Sequence, residues 1–239
     1  MANYYTDHPE LEFYLNHPLM KRVVDLREHF YEDKEKFDDA PVDFEDCIEN
    51  YKRVLEIMGD LAANVIAPNS EAVDLEGPQL ENGRMKYASK TFENLDAIRK
   101  AVGPKFPIEV RISGSECYEG GYGIEEGVKI AKQIDGHCDL IHVSAGSHEV
   151  SEVFTVTHPS MFLEDGVNVK YAAEIKKHVK TPVATVGALS DPDYLEEIVA
   201  SGQADVVELA RGLICDPDLP RKAREGRTDG VVKCIRSEE

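Results

Sequence analysis

The sequence predicts an α/β fold that forms part of an α/β barrel and follows an all-α helical segment. Two observations carry this prediction. From about residue 100 onward, short β-branched runs alternate with amphipathic helical patterns, which is typical of a parallel sheet with right-handed crossovers. The first hundred residues contain helical patterns only, with turn signals at Gly77-Pro78 and Asn82-Gly83.

The composition limits the classes of function. The 239-residue chain has a net charge of −19 and a pI of about 4.8, and its acidity is spread over both halves. Nucleic acid is therefore not an expected partner, because neutralising phosphates requires clustered Lys and Arg. The spread of charge favours a well-solvated surface over an acidic interaction tail. A hydrophobic content of 42% is enough for a buried core.

The cysteines and the N-terminus indicate a compartment. The five cysteines form no close pair, which fits a reducing environment without disulfides: Cys47, Cys117, Cys138, Cys215 and Cys234. Met1 is followed by polar residues rather than a basic and then apolar leader, and no apolar run approaches the length of a membrane span. The expectation is a soluble, cytoplasmic protein without a membrane partner.

Three helices are predicted in the first hundred residues. Asp43 is a candidate N-cap for the longest, about 25 residues ending before Pro68. Its apolar residues recur at helical spacing, at Phe44, Ile48, Tyr51, Leu55, Met58, Ala62, Val65 and Ile66. A shorter helix is predicted from near Leu19 to Phe30, and Thr91 is a candidate cap for the last.

These helices carry no recognisable chemistry. They contain no nucleophile–base pair, glycine-rich loop or metal-ligand spacing, and no metal site is predicted anywhere in the chain. Several segments nevertheless resemble the N-terminal helical region of bacterial acyl-CoA dehydrogenases, over about residues 1–97. They are Ala2–Asp7, His17–Met20, Ala40–Glu45, Ile66–Asn69 and Thr91–Asp96. That family keeps its flavin contacts and catalytic glutamate in later domains, so the resemblance implies no dehydrogenase site here.

The second half is predicted to alternate strands and helices. The strands are Phe106–Ile112, Asp139–Ser144, Pro182–Val186 and Ala204–Leu209. The helices between them are Ile124–Ile134, Val167–Val179 and Pro192–Ala200. Ser190 or Asp191 caps the last helix, and Gly202 closes it.

The carboxyl ends of these strands carry the candidate site, since chemistry in such folds lies at that edge. Gly187 lets backbone N–H groups approach an anion, and Arg211 offers a bidentate phosphate clamp. Alone, a glycine is often a turn and an arginine a surface cation. At the ends of successive strands, the two together favour a phosphate site.

Residues 97–236 resemble the Old Yellow Enzyme-type NADH:flavin oxidoreductases. The motifs are Ala97–Pro104, Ile108–Ser113, Asp139–Gly146, Ala184–Gly187, Ala204–Arg211 and Asp216–Pro220. They are most similar to the subgroup of 2,4-dienoyl-CoA reductases and bile-acid ene-reductases. The resemblance implies that residues 98–239 are the FMN-binding half of a (β/α)8 TIM barrel, comprising about its last four βα units. It implies a flavoprotein with NADH or NADPH as reductant and an enoyl or enone substrate.

The resemblance also implies roles for individual residues. Arg111 would lie beside the pyrimidine edge of the flavin. Gly187 with Ala188, and Arg211 with Gly212, would hold the FMN phosphate. His148 matches a histidine on the substrate side and would polarise a carbonyl or assist proton transfer. His158, within the loop 155–162, is a further candidate at the substrate mouth.

The sequence also departs from that family. Only four of eight strands are predicted, and the usual tyrosine proton donor lies in the part that is not matched. Cys234-Ile-Arg-Ser237 stands where the subgroup begins an iron–sulfur motif, and one thiolate does not hold a cluster, so none is expected.

The two resemblances meet near residues 93–100, which suggests a chimeric assembly. Open edges on the outer strands suggest a possible homodimer.

The leading interpretation is an FMN-dependent ene-reductase or a fragment of one. Its alternatives are a catalytically inactive phosphate- or FMN-binding module and an acyl-CoA dehydrogenase-related association module.

Overall fold

The computed structural model describes residues 2–38, 40–77, 79–81, 84–148 and 150–236. It divides into two compact units, Met1–Gln79 with Lys86–Phe106, and Leu80–Met85 with Pro107–Glu239. The division predicted at residues 97 and 98 falls inside a helix of the first unit, Ser89–Val102. Within the described residues, no helix combines the length and the apolar character needed to cross a lipid bilayer.

The first unit is helical, as predicted. Its helices include one that the sequence pattern did not reveal, Pro9–Leu15. The predicted turns at Pro78 and at Asn82-Gly83 lie outside the described residues. The helices are α1 Pro9–Leu15, α2 Met20–Arg27, α3 Phe44–Leu61, α4 Ala67–Glu76 and α5 Ser89–Val102. Between α4 and α5 along the chain, β1 Gln79–Glu81 and β2 Arg84–Lys86 pair in a two-stranded sheet, and Leu80–Met85 belongs to the second unit.

The long central helix begins as predicted but does not end at Pro68. The Asp43 carboxylate accepts a hydrogen bond of 2.9 Å from the backbone N–H of Asp46, which confirms the cap. A π-helical turn, Ala62–Ile66, follows α3, and Pro68 then lies in the first turn of α4. The wider turn replaces the i→i−4 hydrogen bond that proline cannot make, so the helical path continues to Glu76.

Two other helix boundaries differ from the prediction. α5 begins at Ser89 after Ala88, two residues before the predicted cap Thr91, whose own N–H bonds to the Ala88 carbonyl. α2 ends at Arg27, and a separate 3-10 turn, His29–Tyr31, follows it with positive φ at all three residues. Side-chain periodicity locates a helix but does not report such local backbone changes.

The second unit alternates strands and helices. The predicted helices Ile124–Ile134 and Pro192–Ala200 are confirmed at both ends, and the Asp191 carboxylate caps the latter by accepting from the N–H of Asp193. The elements are β3 Glu109–Ser113, α6 Ile124–Ile134, β4 Leu140–Ser144, α7 Phe154–Thr157, α8 Val169–Lys176, β5 Val183–Val186, α9 Pro192–Ala200, β6 Val206–Glu208, α10 Arg211–Cys215 and α11 Leu219–Arg224. Two 3-10 turns, Ser151–Val153 and Thr228–Gly230, lie in the loops of this part of the described chain.

Within the described residues, β3, β4, β5 and β6 form one parallel sheet in sequence order. The predicted α/β fold and parallel sheet are thereby confirmed. Successive side chains alternate between its two faces. The core face is buried and apolar apart from one threonine, with Ile112, Ile141, Val143, Val183 and Thr185. The opposite face, called here the polar face, carries Glu109, Arg111, His142, Ser144 and Glu208.

Aspartates fasten the strands at their amino ends. Asp139 accepts a 2.8 Å hydrogen bond from the N–H of Ile108, just before β3, and Asp205 accepts one of 2.9 Å from the N–H of Val183 in β5. Asp135 accepts from both the N–H and the hydroxyl of Thr181. These carboxylates satisfy N–H groups that begin a strand and therefore help to hold the register. The predicted homodimer through β3 and β6, the outer strands of this sheet, stays a prediction.

Gly127 fixes the distance between α6 and the loop after β3. A Cβ at this position would approach the Gly114 carbonyl oxygen to 2.3 Å, so the helix can contact the backbone only through a glycine. We expect Gly127→Ala to lower the free energy of unfolding by about 1–3 kcal/mol, although alanine favours a helix by up to about 1 kcal/mol. Urea denaturation followed by circular dichroism measures the change.

The matched control is Gly230→Ala, because a Cβ there meets no atom within 4 Å. It should change the free energy of unfolding by no more than about 0.5 kcal/mol. Equal stability of the Gly127 variant and the unchanged protein would contradict the close packing of α6.

Candidate functional site

A pocket of about 240 Å³ opens at the carboxyl ends of β3 to β6. Five residues assigned to the cofactor from the sequence line it together, namely Arg111, Gly187, Ala188, Arg211 and Gly212. The structure therefore places residues from three different strand ends around one cavity, at the edge where a parallel sheet presents its loops. The binding roles of these residues stay predictions.

The loop after β5 has an unusual backbone. Gly187 has φ of +121°, and a Cβ there would lie 2.5 Å from the side-chain nitrogen of Asn168. Ala188 has φ of +53°, a left-handed conformation that costs free energy for a residue with a side chain. Such strain persists only where the surroundings hold it, and it occurs often at ligand sites.

Asn168 holds this loop and was not predicted from the sequence. It is 2% exposed, and its side-chain N–H donates a 2.9 Å hydrogen bond to the carbonyl of Val186, the last residue of β5. This contact leaves the Gly187 position no room for a larger residue. Asn168 precedes α8, so its sequence position indicates only a helix start.

Arg211 follows β6 and begins α10. Its guanidinium donates a 3.2 Å hydrogen bond to the carbonyl of Pro159, which orients the side chain along the pocket wall. A Cβ at the next residue, Gly212, would lie 3.2 Å from the carbonyl oxygen of Leu189. The loops after β5 and β6 therefore meet closely beside the Arg211 charge.

Arg111 projects from β3 on the polar face. Its Nε donates to the hydroxyl of Ser144 at 3.3 Å, and that hydroxyl donates to the Ile112 carbonyl at the same distance. The guanidinium is otherwise exposed to the pocket. Ser144 ends the predicted strand Asp139–Ser144 but was not predicted to be a site residue. Its contact with Arg111 depends on the register of β3 and β4, which the sequence does not reveal.

His148 is not among the residues that line this pocket, but it contacts one that is. Its ring centroid lies 5.2 Å from that of His158 in an edge-to-face arrangement, and the His158 ring stacks on Phe154 at 4.6 Å. Burial lowers the pKa of His158 below its usual 6.5, and the nearby His148, Arg211 and Arg111 lower that pKa further. These effects all favour the neutral form of the His158 imidazole.

The C-terminal segment completes the wall with Cys234 and Arg236. The buried Asp216 anchors this segment, since its carboxylate accepts from the N–H of Val232 at 2.8 Å and from Lys222 Nζ at 2.6 Å. The hydrogen bond from Lys222 lowers the pKa of Asp216. Arg236 pairs with Asp165 at 2.9 Å.

Cys234 was considered above as a remnant of an iron–sulfur motif, and Ser237 of that motif lies outside the described residues. Hydrogen bonding with Cys234 raises the pKa of the neighbouring Cys215 thiol. The expectation that no iron–sulfur cluster is held stays a prediction.

The electrostatics of the pocket can be tested through His158. Arg211→Ala removes a positive charge that disfavours the imidazolium, so the pKa of His158 should rise toward its usual value. Histidine-ring NMR across a pH series measures this pKa. The control is Arg221→Ala, since Arg221 is half exposed and paired with Asp218 on α11. An unchanged pKa in the Arg211 variant would show that this charge does not act on the ring.

Comparisons with known proteins agree with this geometry. Residues 68–230 match the model of the NADH:flavin oxidoreductase / NADH oxidase family. An NADH oxidase from Thermoanaerobacter brockii is 42% identical over 179 residues, covering 74% of this chain and 26% of that protein. A cinnamate reductase from Clostridium sporogenes is 29% identical over 181 residues, covering 70% of this chain and 26% of that protein.

A solved complex of 2-naphthoyl-CoA reductase with 2-naphthoyl-CoA superposes with a TM-score of 0.55 at 32% identity. The similarity covers 61% of this chain and 22% of that one. It supports the fold predicted above, a partial barrel of βα units with a helical segment before it. The chain spans about a quarter of the length of the curated relatives it matches.

Proposed function

Because this chain belongs to the NADH:flavin oxidoreductase / NADH oxidase family, we propose that its second unit binds FMN and serves an ene-reductase. The observation that carries the proposal is the convergence of Arg111, Gly187 and Arg211 on one pocket. When bound, FMN supplies hydride-transfer chemistry that no protein side chain provides. The part of this chain is to bind, orient and electrostatically tune that group.

The residues present suit a phosphate at one end of the pocket. Gly187 keeps the loop after β5 free of a side chain, and Ala188 continues it in a left-handed conformation. Arg211 brings a permanent positive charge with several N–H donors to the facing loop. Close backbone approach together with a guanidinium is a combination that proteins use for phosphate recognition.

The other end of the pocket suits a flavin ring. Arg111 holds a fixed cation on the polar face, steadied by Ser144 at 3.3 Å. A cation beside the pyrimidine edge would stabilise negative charge on that part of the ring. The charge of Arg111 also contributes to the lowered pKa of His158. The proposed flavin contact is therefore electrostatically linked to the proposed substrate-side residue.

His148 and His158 are the proposed substrate-side residues. The lowered pKa of His158 favours its neutral form, and its buried Nδ1 has no hydrogen-bond partner among the described residues, so this nitrogen can interact with a substrate carbonyl or take part in proton transfer. His148 contacts it edge to face and is the second candidate for this role.

The proposed substrate is an α,β-unsaturated carbonyl compound or enoyl thioester, reduced at the expense of NADH or NADPH. The names of the cinnamate reductase and the 2-naphthoyl-CoA reductase complex support this substrate class. We place the chain near the 2,4-dienoyl-CoA reductase and bile-acid reductase subgroup on the motifs quoted above. The resemblance of residues 1–97 to acyl-CoA dehydrogenases stays a prediction.

A second candidate function is flavin binding without turnover. The described residues contain four parallel strands, whereas a (β/α)8 barrel surrounds its cofactor with eight. A module of this kind would keep the phosphate and ring contacts of the pocket but would lack a complete substrate cavity. Binding and turnover therefore have to be measured separately.

Binding is tested with FMN titrated into flavin-free protein and followed by flavin fluorescence. We expect Arg211→Ala to weaken FMN affinity by about tenfold or more, because it removes a charge-assisted hydrogen bond to the phosphate. Arg221→Ala, the exposed control on α11, should leave the affinity unchanged. Equal effects of both substitutions, with circular dichroism showing both folded, would remove the phosphate site from the proposal.

Turnover is tested by oxidation of NADH and of NADPH with cinnamate or an enoyl-CoA as the acceptor. An ene-reductase should show saturable oxidation that requires added FMN, and the Arg211→Ala variant should need more FMN to reach the same rate. Undiminished FMN binding without any oxidation would instead establish the binding module.

A further inference from the structure

A second group of chemically active side chains lies on the polar face and shares Glu208 with the pocket. It consists of Glu109, His142 and Glu208, called here the carboxylate–histidine cluster. The Nδ1 atom of His142 lies 2.8 Å from an oxygen of Glu109 and 2.9 Å from an oxygen of Glu208. One donor atom from each residue lies within 4.8 Å of the other two.

The sheet register explains why these residues meet. His142 in β4 pairs with Arg111 in β3 and with Ala184 in β5, so its side chain shares the polar face with theirs. Glu109 precedes Arg111 by two residues on that face. Ala184 is small and fully buried, which lets His142 reach across β5 to Glu208 in β6. The three residues lie on three different strands, so no spacing in the sequence identifies them as a group.

Hydrogen bonding alone does not satisfy this cluster. Two carboxylates converge on Nδ1, which carries at most one proton, and the ring is only 5% exposed. The second oxygen of Glu208 is buried and has no hydrogen-bond partner among the described residues, and neither has the Nε2 atom of His142. Protein contacts at Nε2 therefore do not fix the tautomer of the imidazole, and a cation can replace the proton that Nδ1 would otherwise donate to the carboxylates.

We propose that Glu109, His142 and Glu208 form a binding site for a divalent transition-metal cation. Two carboxylates and one imidazole are ligands that Mn²⁺, Fe²⁺ and Zn²⁺ accept. The separations of 2.8 and 2.9 Å between Nδ1 and the two carboxylate oxygens suit metal–ligand bonds of about 2.1 Å. The unpartnered oxygen of Glu208 supplies a further ligand atom. The remaining positions face the open side of the sheet, where Glu109 is half exposed, so the cation has a route to enter.

The surrounding charges set the conditions for binding. The charged and titratable groups that face the proposed cation site are the two carboxylates, the His142 imidazole and the Arg111 guanidinium. Burial raises the pKa of Glu208, and Glu109 acts in the same direction, whereas His142 and Arg111 lower it. A bound cation would remove the repulsion between the carboxylates. Binding requires deprotonated ligand atoms, so the affinity for the cation should decrease at lower pH.

Mn²⁺ is the probe for the test, because it favours oxygen ligands such as carboxylates and has little affinity for the thiols of the five free cysteines. Chelator-treated, flavin-free protein is titrated with Mn²⁺ while the EPR signal of the free ion is recorded. We expect one bound ion per chain and a rise in melting temperature. Glu109→Gln and Glu208→Gln should each weaken binding by about tenfold or more.

Glu174→Gln is the matched control, since Glu174 contacts His178 at 3.1 Å on the surface of α8 without a third ligand. It should bind Mn²⁺ as the unchanged protein does. Glu109 is 45% exposed, so its variant should fold even if a change at the buried His142 does not. Absence of Mn²⁺ binding, or binding that Glu109→Gln leaves unchanged, would overturn the proposal. The outcome is independent of FMN, because flavin is absent from the assay.

Discussion

The parallel register of β3, β4, β5 and β6 is the constraint on which the second unit depends. Pairing of Arg111 with His142, and of His142 with Ala184, sets which side chains share a face and at what height. A slip of one residue in any strand would turn its charged side chains into the helix-covered core. The aspartates at the strand starts oppose such a slip, since each binds a specific N–H in a neighbouring segment.

This constraint also explains which features could be predicted from the sequence. Local signals located Ile124–Ile134 and Pro192–Ala200 at both ends, because periodicity and capping act within a few residues. The predicted end of the long helix at Pro68 was wrong, because the π-helical turn before Pro68 has no residue signature of its own. Gly187 and Arg211 could be predicted as site residues, because a glycine or an arginine directly after a predicted strand is recognisable in the sequence. Asn168 could not, because its role lies in a contact with another loop.

The described residues that line the pocket include three arginines and one glutamate, whereas the chain as a whole is acidic. The protein has a net charge of −19, yet Arg111, Arg211 and Arg236 line one small cavity. Exposed charges are screened over about 8–10 Å at physiological ionic strength, so a distant acidic surface does not cancel these guanidinium groups. After burial and His148, the charges of Arg211 and Arg111 also contribute to the lowered pKa of His158. An anionic group would therefore meet a locally favourable potential in an acidic molecule.

The pocket and the carboxylate–histidine cluster share Glu208, and the charge of Arg111 acts on both. Glu208 lines the pocket and also contacts His142, while Arg111 lies near enough to lower the pKa of Glu208. A cation held by the cluster would compete with Arg111 for the negative charge of Glu208. Positive charge bound at the cluster would therefore change the electrostatic potential in the pocket, because Glu208 belongs to both.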